Sequence, residues 1–241
     1  MGEDMENWLK GDFHLHTEED YRERISYNAK ELIDRAGQQG YKVLAITNHE
    51  QVTFSRELKE YAAGQGIILL PGTEATIKGK HVLIISPDGF FHPEKIKTFK
   101  DLQQARQDGA LIIAPHPFFP GIHSLRSKLI RYLGVFDAIE YSHFYLSRIN
   151  FNIPAERLAR QHGIPLVGTS DAHCWRQFGA TYSLVKAKQE SEDIIRAIKE
   201  GDIEIVSQPL GAISAARCYL GIWWNSLWGL FQSPNSRIVR K

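Results

Sequence analysis

The chain has 241 residues, 43% hydrophobic and 24% charged, with a formal net charge of +1. That length suits one sizeable domain, since single α/β barrels commonly occupy about 200 to 250 residues. A near-neutral balance lacks the basic stripe that phosphate-backbone binding needs, so no specific nucleic-acid partner is indicated.

The N-terminus, MGEDMENWLK, is acidic and has no apolar core of signal-peptide length. The two cysteines, Cys174 and Cys218, stand far apart, which excludes a disulfide scaffold and makes a reducing, cytoplasmic setting the expectation. Next comes GDFHLHTEED, residues 11–20, with His14 and His16 on either side of a leucine. In a strand, residues i and i+2 share a face, so both imidazoles would enter one space from a rigid element.

Further along, helix-like 3.6-residue periodicity at 28–38, 55–64, 99–107 and 155–161 alternates with short apolar runs at 42–47, 66–70, 81–85, 110–114, 135–140 and 164–168. Strands apolar along their whole length are covered on both faces, as in a parallel sheet with helices outside. The helix-glycine-strand junctions at Gly40, Gly66, Gly109 and Gly163 fit left-handed helix ends. A last helical segment, 192–199 with Ser191 as N-cap, closes the alternation. The expectation is an α/β barrel over residues 1–208. From 209 to 241 the composition changes, and 218–231 carries no charge while holding Trp223, Trp224 and Trp228. This run is shorter than the roughly 20 apolar residues that span a bilayer. It reads either as a helix packed on the barrel or as an interfacial segment giving weak membrane association, with Arg237, Arg240 and Lys241 beside it.

Polar residues recur just beyond the apolar runs, and in a barrel those strand ends converge on one face. They supply His14, His16, His49, Glu74, His81, His116, Asp171 and His173, all of them nitrogen or carboxylate donors. Such a set suits Zn, Mn or Fe and is too large for one tetrahedral ion, so two or three divalent metal ions are implied. Glu74, with two oxygens among imidazoles, is the natural bridge.

The ordered fragments His14-Leu15-His16, Thr47-Asn48-His49, Gly72-Thr73-Glu74, Pro115-His116-Pro117 and Ser170-Asp171-Ala172-His173 resemble the motifs of the PHP (polymerase and histidinol phosphatase) family of metal-dependent phosphoesterases. The resemblance covers residues from about 11 to about 205. It implies a distorted (β/α)7 barrel with the metal cluster at the C-terminal ends of the strands. It also implies a first metal on His14, His16, Glu74 and Asp171, a second on Glu74, His81 and His116, and a third site that includes His49 and His173. Two departures touch the third site. The family usually has Thr-Asp-His where this chain has Asn48, and the position expected to carry an acid or histidine after His16 is Tyr21, with Asp20 the nearest substitute and Glu18 and Glu19 its rivals.

His143, in EYSHF, lies beyond the strand that ends near Glu140 and reads as a metal ligand, a general acid or a substrate contact. With Glu74 and Asp171 it completes the expected catalytic set. Arg148 and Arg176 stand near proposed ligands and suit bidentate grip of a phosphate, whereas Arg22 and Arg24 read more as surface residues. No G-x-x-x-x-G-K-[ST] loop or G-x-S-x-G elbow occurs. The expected activity is hydrolysis of a small phosphorylated substrate by a metal-activated water. The alternatives are an amidohydrolase-type metallohydrolase, whose bridging group is typically a carboxylated lysine, and a non-catalytic metal-binding accessory domain.

Overall fold

The computed structural model describes residues 8–87, 89 and 91–211. The tryptophan-rich segment, including Cys218, falls outside the described residues. In chain order the elements are β1 (Trp8–Leu15), α1 (Ala29–Gln38), β2 (Val43–Ile46), α2 (Arg56–Gly64), β3 (Ile68–Ile77), β4 (Lys80–Ile85), α3 (Phe99–Gln107), β5 (Leu111–Ala114), α4 (Ser127–Arg131), β6 (Ala138–Ser142), β7 (Tyr145–Leu146), β8 (Ile149–Asn150), α5 (Ile153–His162), β9 (Leu166–Thr169), β10 (Thr181–Lys186), α6 (Ser191–Glu200) and β11 (Ile203–Ser207).

The apolar runs form strands because each side has a partner. Val43, Ala45, Leu83, Ile85, Leu111 and Ile113 meet in the interior with Phe13, Ala138 and Val167. The alternate residues face the helices: Leu44 and Ile46 join Leu32, Ile33 and Ala36 of α1, while Val82, Ile84 and Ile112 join Phe99 and Leu102 of α3. A two-residue periodicity is therefore present but invisible in hydropathy, since both faces are apolar. Helix starts are closed locally, by Asn28 with Glu31 on α1 and by Thr98 with Asp101 on α3. The glycines expected at helix ends do take left-handed backbone, with φ of 77° at Gly40, 72° at Gly66, 102° at Gly109 and 65° at Gly163.

Among the described residues the main sheet has nine strands, ordered β11-β10-β1-β2-β3-β4-β5-β6-β9. The barrel is thus present, but its alternation is less regular than the sequence suggests. β1, β2 and β3 run parallel, as do β5, β6 and β9, whereas β4 and β10 are reversed, and β11, antiparallel to β10, runs in the direction of β1. The run at 66–70 continues through Pro71 to Ile77, because Pro71 need only accept there, from Ser86 N at 2.9 Å. β3 then turns into β4 over Lys78 and Gly79, both with positive φ (51° and 77°), a hairpin turn whose twist matches its strands. At the last helix, Glu190 rather than Ser191 holds the N-cap position, without a side-chain capping bond.

β9 meets β10 through side chains: Ser183 Oγ accepts from Gly168 N and donates to Gly168 O, each at 2.9 Å. Beyond β9, Ala172 bridges to Leu15 of β1 and accepts from His16 N at 3.3 Å. This near-closure requires a glycine. A Cβ on Gly168 would lie 2.7 Å from Ile205 Cγ2 and 2.9 Å from the Tyr182 carbonyl oxygen. Gly168→Ala should therefore destabilise the chain by about 1–3 kcal/mol through overpacking, read as a lower denaturant midpoint at unchanged m-value. An unchanged midpoint would show that the seam yields freely.

Candidate metal centre

Each metal-site candidate enters from a strand end. His14 comes from β1 and His16 from the residue just past it, and the two alternate about Leu15 as a strand requires, but the residue before them breaks the pattern. Phe13 packs in the barrel interior while Leu15 packs with α1, so Phe13 and His14, adjacent in sequence, both turn inward. The register irregularity between Asp12 and Leu15 makes this possible, as a bulge places consecutive side chains on one face. The two imidazole rings end 5.1 Å apart. Non-glycine residues with positive φ also gather here, at Glu50 (56°), His116 (28°) and Asp171 (44°). Strained backbone of this kind concentrates where side chains must be aimed rather than merely packed.

Glu74 stands at the middle, 1% exposed. Its Oε1 faces His81 Nδ1 at 2.7 Å and His116 Nε2 at 3.2 Å. Its Oε2 faces the Nε2 atoms of His49 at 3.0 Å and of His14 and His16 at 3.4 Å. Asp171 Oδ1 lies 3.3 Å from His14 Nε2 and 3.4 Å from His16 Nε2. Three groups have ligand atoms mutually within 4.8 Å: His14, His16 and Asp171; His14, Glu74 and His116; and His16, His49 and Glu74. His81 joins the cluster through Glu74. His173 stacks on His16 with centroids 4.4 Å apart, and its Nδ1 lies 3.0 Å from the Asp171 carbonyl oxygen.

A second layer of carboxylates holds the rings from behind. Glu140 Oε1 lies 2.7 Å from His14 Nδ1 and also receives the Thr169 hydroxyl, while its Oε2 accepts from His116 N. Asp20 Oδ2 lies 3.0 Å from His16 Nδ1 and 2.8 Å from His49 Nδ1, and accepts from His49 N at 2.9 Å. Asp20, expected from the sequence as a third-site ligand, is thus turned toward the backs of the two rings. Tyr21 is 43% exposed, so the nearby acid reaches the site from one position earlier. Asn48 has its own reason to be an amide. Its Oδ1 accepts from Thr17 N at 2.9 Å, while its Nδ2 donates to Thr17 Oγ1 at 2.8 Å and Thr53 Oγ1 at 2.7 Å, donations an aspartate could not make.

The residues fit a metal cluster. With their Nδ1 atoms engaged, His14 and His16 present Nε2 atoms that are buried and meet no hydrogen-bond partner. Such a carboxylate-histidine pair fixes the ring and tautomer for a metal on the opposite nitrogen. The electrostatics agree. Burial opposes charge on Glu74, yet His81, His14 and His49 hold its carboxyl well below the usual carboxylate range. Burial presses His81 down to about 4 and His143 down to about 3, leaving both neutral. At His49 burial is overcome by Glu74 and Asp20, which push it up to about 10. The negative field that retains that proton would favour a divalent cation in its place.

His143 also lies at this end of the barrel, fully buried, where Asp171, His173, His14 and His116 are the charges acting on it. Arg148, in the turn between β7 and β8, and Arg176, in the turns after His173, are exposed and make no described ion pair with the cluster. The Arg22 guanidinium donates to Thr76 Oγ1 at 3.2 Å and lies 3.5 Å from Glu50 Oε1. Sequence reasoning missed Glu140 as a functional group. The only signal was an acid ending an otherwise apolar run.

The family model described as PHP-associated matches residues 150–203. A solved two-domain protein of Bacteroides vulgatus, containing a predicted PHP-like metal-dependent phosphoesterase, superposes with a TM-score of 0.65 at 21% identity, covering 89% of this chain and 70% of that one. The fold is the one found in that PHP-like protein, and the matched segment agrees with it. Other solved structures share the fold. PsfC of Pseudomonas syringae matches with a TM-score of 0.64 at 16% identity, over 92% of this chain and 99% of its own. An amidohydrolase of Chromobacterium violaceum, with bound sulfate and no metal, matches with a TM-score of 0.54 at 16% identity, over 86% and 96% of the two chains.

Proposed function

We propose that this PHP-type barrel is a metal-dependent phosphoesterase acting on a small phosphorylated substrate. The observation that carries the reading is the orientation of His14 and His16, each gripped at Nδ1 by a buried carboxylate and left with a buried, unpartnered Nε2 facing Glu74 and Asp171. The imidazole and carboxylate donors suit Zn, Mn or Fe. Because the three ligand groups share His14, His16 and Glu74, two or three ions would be contiguous rather than separate. The chemistry that divalent ions supply in such a cluster is Lewis-acid neutralisation of phosphoryl charge and activation of a water nucleophile.

The chain's own residues account for the rest. Glu74 spans the cluster with both oxygens, and Asp171 closes the His14–His16 side. Glu140 and Asp20 stop the rings from rotating. Arg148 and Arg176 are the proposed cationic grips on phosphate oxygens, on loops that follow β6 and β9. An amidohydrolase-type reading draws support from the fold shared with the C. violaceum protein. Against it, a glutamate, Glu74, and no lysine stands in the groups of described residues that could hold a metal.

Chelator-treated protein reloaded with Mn or Zn should hydrolyse phosphomonoesters or phosphodiesters and should gain stability, about 2.7 kcal/mol at 100 times the metal dissociation constant. Metal-loaded protein that hydrolyses amides or lactones and neither ester class would give the site to the second reading.

A further inference from the structure

His143 differs from the other histidines of the centre. Both of its ring nitrogens are buried and meet no hydrogen-bond partner, and neither belongs to any of the three ligand groups. Its position is nonetheless carefully held. Asn152 brackets the preceding residue, with its Oδ1 accepting from Ser142 N at 3.0 Å and its Nδ2 donating to Ser142 O at 2.8 Å. Tyr145 N donates to His143 O at 2.8 Å, and the Phe144 ring lies 3.9 Å from the imidazole. The short β7–β8 hairpin returns the chain to Asn150, whose Oδ1 accepts from Asn152 N at 2.8 Å. A fixed imidazole shut away from water with neither nitrogen paired carries a desolvation cost with nothing in return.

The strands show where the ring stands. β5, β6 and β9 are successive parallel neighbours, and they deliver His116, His143 and Asp171 at the same end. His143 therefore stands on the flank between a Glu74-linked imidazole and the Asp171 carboxylate, beside the ligands without joining them. A neutral imidazole offers one N–H donor and one acceptor, and an N–H aimed beside a metal centre suits an anionic oxygen held there.

We propose that His143 is a substrate-binding residue, donating a ring N–H to an oxygen of the phosphoryl group on the flank between His116 and Asp171, and that it is not a metal ligand. This rests on the phosphoesterase reading. The test is calorimetric titration of the full chain, first with Mn or Zn and then, metal-loaded, with inorganic phosphate. Wild type is compared with His143→Leu and His143→Gln, the amide keeping a donor should the apolar variant fail to fold. Metal stoichiometry and affinity should match wild type in both variants. Phosphate binding should weaken about 10-fold or more in His143→Leu and less in His143→Gln. Loss of a bound metal would make His143 a ligand and overturn the assignment. Unchanged phosphate affinity in His143→Leu, beside a wild type that binds phosphate, would overturn it alone. A metal-loaded wild type that binds no phosphate would overturn the phosphoesterase reading and this assignment with it.

Discussion

Replacing Glu74 with glutamine should lower phosphoester kcat/KM by on the order of 10³-fold or more and should cost about one bound metal ion per chain. Glu74 faces five imidazole nitrogens, and its two oxygens serve different sides of the cluster. Glutamine has nearly the same shape, but it carries no charge and turns a donor toward imidazoles that are themselves ligands. The fold should persist. Glu74 takes its place in the sheet through its backbone, paired with Leu83 and bridged to His49, and those contacts do not use the carboxylate. Elemental analysis of the purified variant, alongside its circular dichroism and initial rates, decides the matter. Full metal content with full activity would remove Glu74 from the bridging role, and a non-folded variant would show instead that the carboxylate is structural.

Glu140→Gln should weaken metal affinity about 10- to 100-fold without removing any direct ligand. Glu140 is fully buried and acts on two candidate ligands at once, facing His14 Nδ1 with one oxygen and accepting from the backbone of His116 with the other. Only one oxygen survives in the amide, so either the His14 ring or the His116 backbone loses its acceptor and meets an N–H instead. The diagnostic readout is the metal dependence of rate. The variant should be slow at limiting Mn or Zn and recover most of its kcat when metal is saturating, whereas loss of a direct ligand should not be rescued. A normal metal-activation curve would mean that the rings need no buttress.

Much of this centre is legible in the amino-acid order, because strand-end chemistry is local. His14, His16, His49, His116, Asp171 and His173 each lie at or just past the end of a strand, and ligand identity is a property of the residue type. Glu74 and His81 were legible as donors, although the sequence ended the first strand of that pair too early. Residue order also carries the α/β class, since apolar runs and 3.6-residue periods report burial on two faces and on one.

Other features arose only when the chain closed. The bulge in β1 that turns both Phe13 and His14 inward leaves no mark in hydropathy, because it is set by pairing with β2. The reversed placement of β4 and β10 depends on which edge each strand finds, and an apolar strand reads alike in either direction. Glu140 is separated from His14 by 126 positions, and Asp20 reaches His49 across 29. Such buttresses are chosen by distance in space, and a lone acid in a sequence carries no information about what it will face. The sequence by itself determined the candidate donors and the fold class, because those follow from residue type and local periodicity. Tertiary structure alone decided which nitrogen of His14 and of His16 is held and which is left open, because that depends on partners brought together by barrel closure.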